Sequence, residues 1–176
     1  MSEQSYRENL LDKVQAAASD CERELHGCGR CVLSALMSNF DLGDKEGKEL
    51  ALKGVLPLSG GIAQTRNTCA ALLGGLMGIG MVSFPRSLEE TNIDDIRSAM
   101  RVGNQYYRKF EKEIGNVRCF DVRAVGLGRC FDTADPDEYR KFVDAGAYEL
   151  CSGVCGKAAR MAAEFMLDIQ EGQKKA

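Results

Sequence analysis

Eight cysteines among 176 residues dominate what this sequence could do chemically. They fall at Cys21, Cys28, Cys31, Cys69, Cys119, Cys130, Cys151 and Cys155. Cys28-Gly29-Arg30-Cys31 is a CxxC, and Cys151-Ser152-Gly153-Val154-Cys155 is a CxxxC. On a helix, either spacing puts both sulfurs on one face, within reach of a shared metal or of each other. The thiolate is the form that binds metal or attacks a disulfide, and it needs positive potential to exist at neutral pH. Cys28, Cys69 and Cys151 lie near predicted helix starts or glycine breaks, where free backbone N–H groups and the helix dipole supply it. The single histidine, His26, excludes a centre built from several histidines within one chain. His26 itself, two residues before Cys28, reads as a solvated residue ahead of a glycine turn. Arg30, Arg66 and Arg118 near the cysteines read as surface arginines, and Glu89-Glu90 and Asp94-Asp95 as solvent-face charges.

Composition bounds the partners. Lys+Arg total 23 against 26 Asp+Glu, a net charge of −3, which argues against nucleic acid because such binding needs a basic face. The N-terminal Met1-Ser2-Glu3-Gln4-Ser5-Tyr6-Arg7 is polar and has no apolar core of a signal segment, so a cytoplasmic protein with reduced thiols is expected.

The elements that must position these thiols read as helices. Leu10, Leu11, Val14, Ala17 and Ala18 give a first amphipathic stretch, and Cys31, Val32, Ala35, Leu36 and Phe40 a second. A third runs from about Glu46 to Leu56, stopping at Pro57, before the glycine turn Ser59-Gly60-Gly61. The uncharged run from Asn67 to Pro85 falls just short of a bilayer span, and reads as a buried central helix with a flat glycine side. Its glycines, Gly74, Gly75, Gly78 and Gly80, would let a neighbouring backbone or a bulky inorganic group approach closely. If ligands came from two chains, that helix would also be a contact for a homodimer. Asn92 starts a helix carrying Ile96, Met100, Tyr107, Phe110 and Ile114, ending at Gly115, in which Tyr106, Tyr107 and Phe110 pack the core. Residues 116–134 are mixed, with Val117, Val122 and Val125 permitting a short extended piece. Asp135-Pro136-Asp137-Glu138 is a helix start, and a last helix carries Cys151, Cys155, Ala158, Ala159, Ala162 and Phe165. Residues 172–176 read as a frayed tail. The expectation is an all-α fold over residues 1–176, a single-domain helical bundle around a buried glycine-rich central helix.

From about residue 25 to 167 the sequence resembles the redox-active protein family named for its C…GCAxxG…C…C cysteine pattern, which is related to a domain of split-Soret cytochromes. The stretch His26-Gly27-Cys28-Gly29-Arg30-Cys31-Val32-Leu33 is similar to the family's first-cysteine helix. Ser59 to Gly74, including Asn67-Thr68-Cys69-Ala70-Ala71, is similar to its glycine turn and central cysteine motif, although the glycine flanking Cys69 is missing, with Thr68 before it and Ala70 after, and only Ala71 and Gly74 fit the small-residue pattern well. Ile114-Gly115-Asn116-Val117-Arg118-Cys119 and the segment from Phe131 to Ala159 around Cys151 are similar to the third and fourth cysteine segments. The resemblance implies redox activity through Cys28, Cys69, Cys119 and Cys151, and an association with iron–sulfur centres. Cys21, Cys31, Cys130 and Cys155 are additional to the family's four, with Cys31 and Cys155 as secondary ligand candidates. No CxxCH is present, so covalent c-type haem is not expected.

Three chemistries fit this constellation. Soft thiolates suit an iron–sulfur cluster, giving an electron-transfer protein with a redox partner. A cysteine pair, with Cys28 attacking and Cys31 or another cysteine resolving, would give a thiol–disulfide oxidoreductase. A cysteine-lined bundle could instead hold Cu(I) or Zn. Against all three stands a helical interaction domain whose thiols are inert core residues.

Overall fold

Leu11, Val14, Ala18 and Glu22 recur at helical spacing on α1 (Glu3–Glu24), and this stripe is buried. It packs along α8 (Ala147–Lys175), the longest contact between elements in the fold. The computed structural model describes residues 2–83 and 87–175; Pro85, the expected end of the uncharged run, and Ala176 lie outside the described residues. Between α1 and α8 the chain forms α2 (Cys28–Asn39), α3 (Lys45–Val55) with a 3-10 turn at Leu56–Leu58, α4 (Ala70–Ser83), α5 (Ile93–Ile114), α6 (Cys119–Leu127) and α7 (Pro136–Asp144). The described residues are thus all-α, and the only extended pairing among them is an isolated bridge between Thr68 and Arg118.

Helix boundaries follow local chemistry. Asn92 caps α5 through a capping box with Asp95, and Gly115 closes the same helix in the left-handed conformation. Asp135 accepts hydrogen bonds from the N–H groups of Asp137 and Glu138 while Pro136 opens α7. The expected extended piece in 116–134 is confined to the Val117–Arg118 side of the bridge with Thr68, and Cys119–Leu127, with Val122 and Val125, is α6. Val122 lies on its buried face and Val125 on its exposed one, so the valine spacing reports a helix with two faces. The expected frayed tail is helical to Lys175. Just ahead of it, the Arg7 guanidinium bonds Asp168 at 2.6 Å and Glu171 at 2.8 Å, tying α8 to the start of α1.

α4 is apolar all round and is surrounded by α2, α5 and α8. A Cβ on Gly74 would collide with the Gly29 carbonyl oxygen of α2, one on Gly75 with the Tyr106 hydroxyl of α5, and one on Gly78 with Leu36. The glycine side is therefore filled by the chain's own backbone and side chains, not by an inorganic group. No helix among the described residues is long and apolar enough to cross a membrane. Tyr106 and Phe110 are fully buried, and the Tyr106 hydroxyl donates to the Ala158 carbonyl at 3.2 Å, fixing α5 to α8.

Gly74→Ala forces α2 and α4 apart and should cost about 1–3 kcal/mol in urea unfolding. Gly80→Ala, two turns away with nothing within 4 Å of its new Cβ, should instead raise stability by about 0.4–1 kcal/mol. Equal effects from the two would remove the close α2–α4 contact as a determinant of stability.

Candidate functional site

Four separate pieces of chain deliver cysteines to one end of α4. Cys28 is the first residue of α2, reached through His26 (φ 58°) and Gly27 (φ 94°), which turn the chain back sharply from α1. Cys69 sits one residue ahead of α4, and its sulfur accepts the N–H groups of Ala71 and Leu72, acting as the helix cap. Cys119 is the first residue of α6, and Cys151 and Cys155 stand one turn apart on α8.

The bridge between Thr68 and Arg118 aligns two of these positions. Cys69 N–H donates to the Val117 carbonyl at 2.8 Å, and Cys119 N–H donates to the Asn67 carbonyl at 2.7 Å. Ahead of the bridge, residues 60–64 are all left-handed, including Ile62 at φ 62°. For residues other than glycine that conformation costs about 1–2 kcal/mol each, so tertiary contacts must hold it. One is Gly61, where a Cβ would lie only 2.6 Å from Cys119 Cβ. The turn lies directly against that cysteine.

Cys28, Cys69, Cys119, Cys151 and Cys155 line one small chamber with Gly61, Val122, Arg123 and Val154. The free space at its centre is about 10 Å³, roughly what one water needs. Cys28 touches the thiols of both Cys151 and Cys155, and its Sγ lies 3.3 Å from Glu22 Oε1. Ligand atoms of Glu22, Cys28 and Cys155 all fall within 4.8 Å of one another, a geometry that could hold a metal ion. Outside the chamber, a cavity of about 130 Å³ opens between Glu22, His26, Gln64, Tyr139 and Tyr148. The two share Cys28, Cys151 and Arg123 as a common wall.

The chamber does not favour free thiolates. Burial pushes the Cys69 thiol up to about 12 and Cys119 to about 11. Burial likewise pushes Cys155 to about 12. Cys151 is held well above its ordinary value by its contact with Cys28 and by burial. For Cys28, the Cys151 thiol favours ionisation, but Cys155, burial and the nearby Glu22 charge outweigh it. A bound metal changes this balance, because coordination deprotonates a thiol outright.

Two charged side chains share the wall. Arg123 is 4% exposed, and its Nε and Nη1 have no hydrogen-bond partner. Burial opposes its charge, but the potential of Cys119, Cys151, Cys28 and Cys130 overrides that and raises its pKa. Its guanidinium lies 4.4 Å above the Phe142 ring. Glu22, 2% exposed, has Oε2 unpartnered, and burial raises its pKa. A buried cation with open donors beside five thiols suits a group that carries negative charge. The donor set, soft sulfur with one carboxylate in reserve, suits a thiolate-bound metal ion.

The other sequence candidates lie elsewhere. Cys31 is outside the chamber, with its sulfur 2.7 Å from that of Cys21. Cys130 is half-buried, its sulfur directed to the Phe131 carbonyl at 3.7 Å. His26, expected to be solvated, instead stacks on Tyr148 at 3.7 Å between ring centroids, and its Nδ1 lies 2.8 Å from the Glu22 carbonyl oxygen. Arg30 donates to the Leu25 and His26 carbonyls at the end of α1. Arg66 and Arg118 pair with Asp132 and Asp121 at 3.5 and 3.7 Å. Glu22 and Arg123 were not among the sequence candidates. Each left a signal: Glu22 continues the apolar stripe of α1, and Arg123 stands one turn after Cys119.

Fold and site together define a helical protein organised around a buried cysteine cluster. Over residues 26–165 the chain matches the family described as "Putative redox-active protein (C_GCAxxG_C_C)", and it belongs to that family. No curated protein and no solved structure matches the chain.

In the folded, metal-free protein, Cys69 and Cys155, both raised to about 12, should react with iodoacetamide at pH 8 about a thousandfold more slowly than an ordinary cysteine. The sign follows from the raised pKa: less thiolate at a given pH, and a rate that climbs tenfold per pH unit. Mass mapping of alkylated peptides, with unfolding in urea restoring ordinary rates, checks this. Rapid labelling of both in the folded state would contradict it.

Proposed function

We propose that the chamber, opening beyond the one-water space it encloses here, holds an iron–sulfur cluster and that the protein transfers electrons. Cys28, Cys69, Cys119 and Cys151 serve as the ligands, and Cys155 is the neighbouring reserve thiol. The observation that carries the reading is the convergence of these thiols, from four separate elements, on one small chamber whose wall contains a buried guanidinium with Nε and Nη1 unpartnered. Such a cluster supplies reversible electron uptake with its ligands fixed. The chain's own contribution is to position and tune. The bridge at Thr68 and the left-handed turn at 60–64 fix Cys69 and Cys119. The N–H groups of Ala71 and Leu72 direct positive potential at the Cys69 sulfur. Arg123 offsets negative charge at the chamber wall, and the Gly29–Gly74 contact holds Cys28 against the start of α4.

A thiol–disulfide enzyme using the chamber cysteines is the second reading, and contact of Cys28 with Cys151 and Cys155 favours it geometrically. Their pKa values oppose it, because burial leaves little attacking thiolate at neutral pH. A soft-metal site shares the donor set but not the need for four spread ligands. The reading places the protein in a compartment that keeps thiols reduced, the cytoplasm, with a redox protein as partner.

Anaerobic purification followed by a visible spectrum and assays of iron, acid-labile sulfide, zinc and copper tests the proposal. Brown protein with stoichiometric iron and sulfide, lost in Cys69→Ser, is expected. Arg123→Met should keep the cluster but lower its midpoint potential, since a nearby cation stabilises the more negative reduced state. Colourless protein that iron and sulfide cannot reconstitute would move the assignment to dithiol chemistry, and zinc or copper without sulfide would move it to metal binding.

A further inference from the structure

The Cys21–Cys31 pair is not among the chamber's lining residues; Glu22, whose carboxylate bonds the thiols of both Cys28 and Cys31, stands between the two sites, and Cys21 faces a groove of its own. Cys21 is in the last two turns of α1 and Cys31 in the first turn of α2, on either side of the tight turn at Leu25–Gly27. Their sulfurs are 2.7 Å apart, about 0.65 Å beyond a disulfide bond of about 2.05 Å. That is well inside an ordinary non-bonded sulfur contact, so the two helices already hold the pair in bonding register. The two thiols differ in access. Cys31 is fully buried, whereas Cys21 is half-buried and lines a surface groove of about 390 Å³ with Leu25, Arg30, Ser34, Lys53 and Leu56. A groove of that size takes a small molecule.

We infer that Cys21 and Cys31 form a dithiol–disulfide couple that reduces a small-molecule disulfide bound in this groove. Cys21 is the attacking sulfur because it alone faces the groove, and Cys31, behind it, resolves. The Cys21 thiolate, its proton lost to solvent, attacks one sulfur of the substrate R–S–S–R; a Cys21–S–S–R bond forms and one RS⁻ leaves. The Cys21 contact, the largest influence holding the Cys31 proton on, is lost once Cys21 is in the mixed disulfide; the released RS⁻ then takes that proton as Cys31 attacks the Cys21 sulfur, forming the Cys21–Cys31 disulfide and expelling the second RS⁻. The two protons given up by the cysteines end on the two released thiolates. Two protein thiols are oxidised, and one substrate disulfide is reduced.

The test uses the full chain, purified anaerobically, with glutathione disulfide as the probe. Wild-type protein exposed to it, alkylated and mapped by mass spectrometry should show a Cys21–Cys31 disulfide and two equivalents of released glutathione. In Cys31→Ser the reaction should stop at one equivalent, with the glutathione adduct on Cys21. The wild-type mapping stands even if that variant does not fold. A disulfide joining Cys31 to Cys28, an adduct on another cysteine while Cys21 stays free, or thiols at 21 and 31 that remain alkylatable throughout would each overturn the inference. Metal content measured in the same samples keeps this result separate from the fate of the chamber. Protection of Cys31 that disappears only when iron is removed would mark it as a cluster ligand and likewise overturn the couple.

Discussion

The contact between α2 and α4, where Gly74 lies against the Gly29 carbonyl, governs how the rest of the site can be built. Gly29 directly follows Cys28, and a Cβ there would come within 3.0 Å of the carbonyl oxygen of Ala70, which directly follows Cys69. Backbone packed this closely leaves no room for side chains between the helices, so the sulfurs just ahead of them are set at a fixed separation. The other helices take their positions from this pair: α8 covers α4 and α2 and brings Cys151 and Cys155 to the opening, while the bridge at Thr68 carries Cys119 in from the far side.

Burying polar groups at this junction works against stability. Glu22 and Arg123 both have side-chain atoms without partners in the interior, and a buried group left unsatisfied is destabilising. The left-handed run over residues 60–64 adds backbone strain beside Cys119. Such features concentrate where a protein gives up local stability for chemistry, and here they gather around the same five sulfurs. The surrounding fold supplies compensation that is ordinary in kind: a large apolar interface between α1 and α8, and Arg7 and Arg160 clamping their polar edges.

The helices were legible because their signals are local. Caps at Asn92 and Asp135, the glycine stop at Gly115 and the apolar spacing of α1 depend only on nearby residues. The cysteines were visible as candidates for the same reason, since each sits in a short recognisable segment. What the sequence hid was partnership. Nothing in the spacing of the CxxC says that Cys31 turns away from Cys28 towards Cys21, because α1 has to be placed before that contact exists. Arg123 was one of 23 cations, and its burial depends on Phe142 and α7 closing over it. Val117 does lie beside the extended bridge, but the valines at 122 and 125 misled because short apolar runs are compatible with either strand or helix until tertiary packing decides.

Cys28 and Cys155 are 127 positions apart in the chain. At translation rates of about 5–20 residues per second, roughly 6–25 s separate their synthesis. Throughout that interval the first helical hairpin, with Cys21, Cys28 and Cys31, exists without the helix that will close over it. The chamber therefore closes only after α8 has been made, and whatever it holds must arrive after that or wait on the nascent hairpin until α8 docks. Until then these early thiols lack the cover α8 later provides, and the cell must keep them from oxidation during that time.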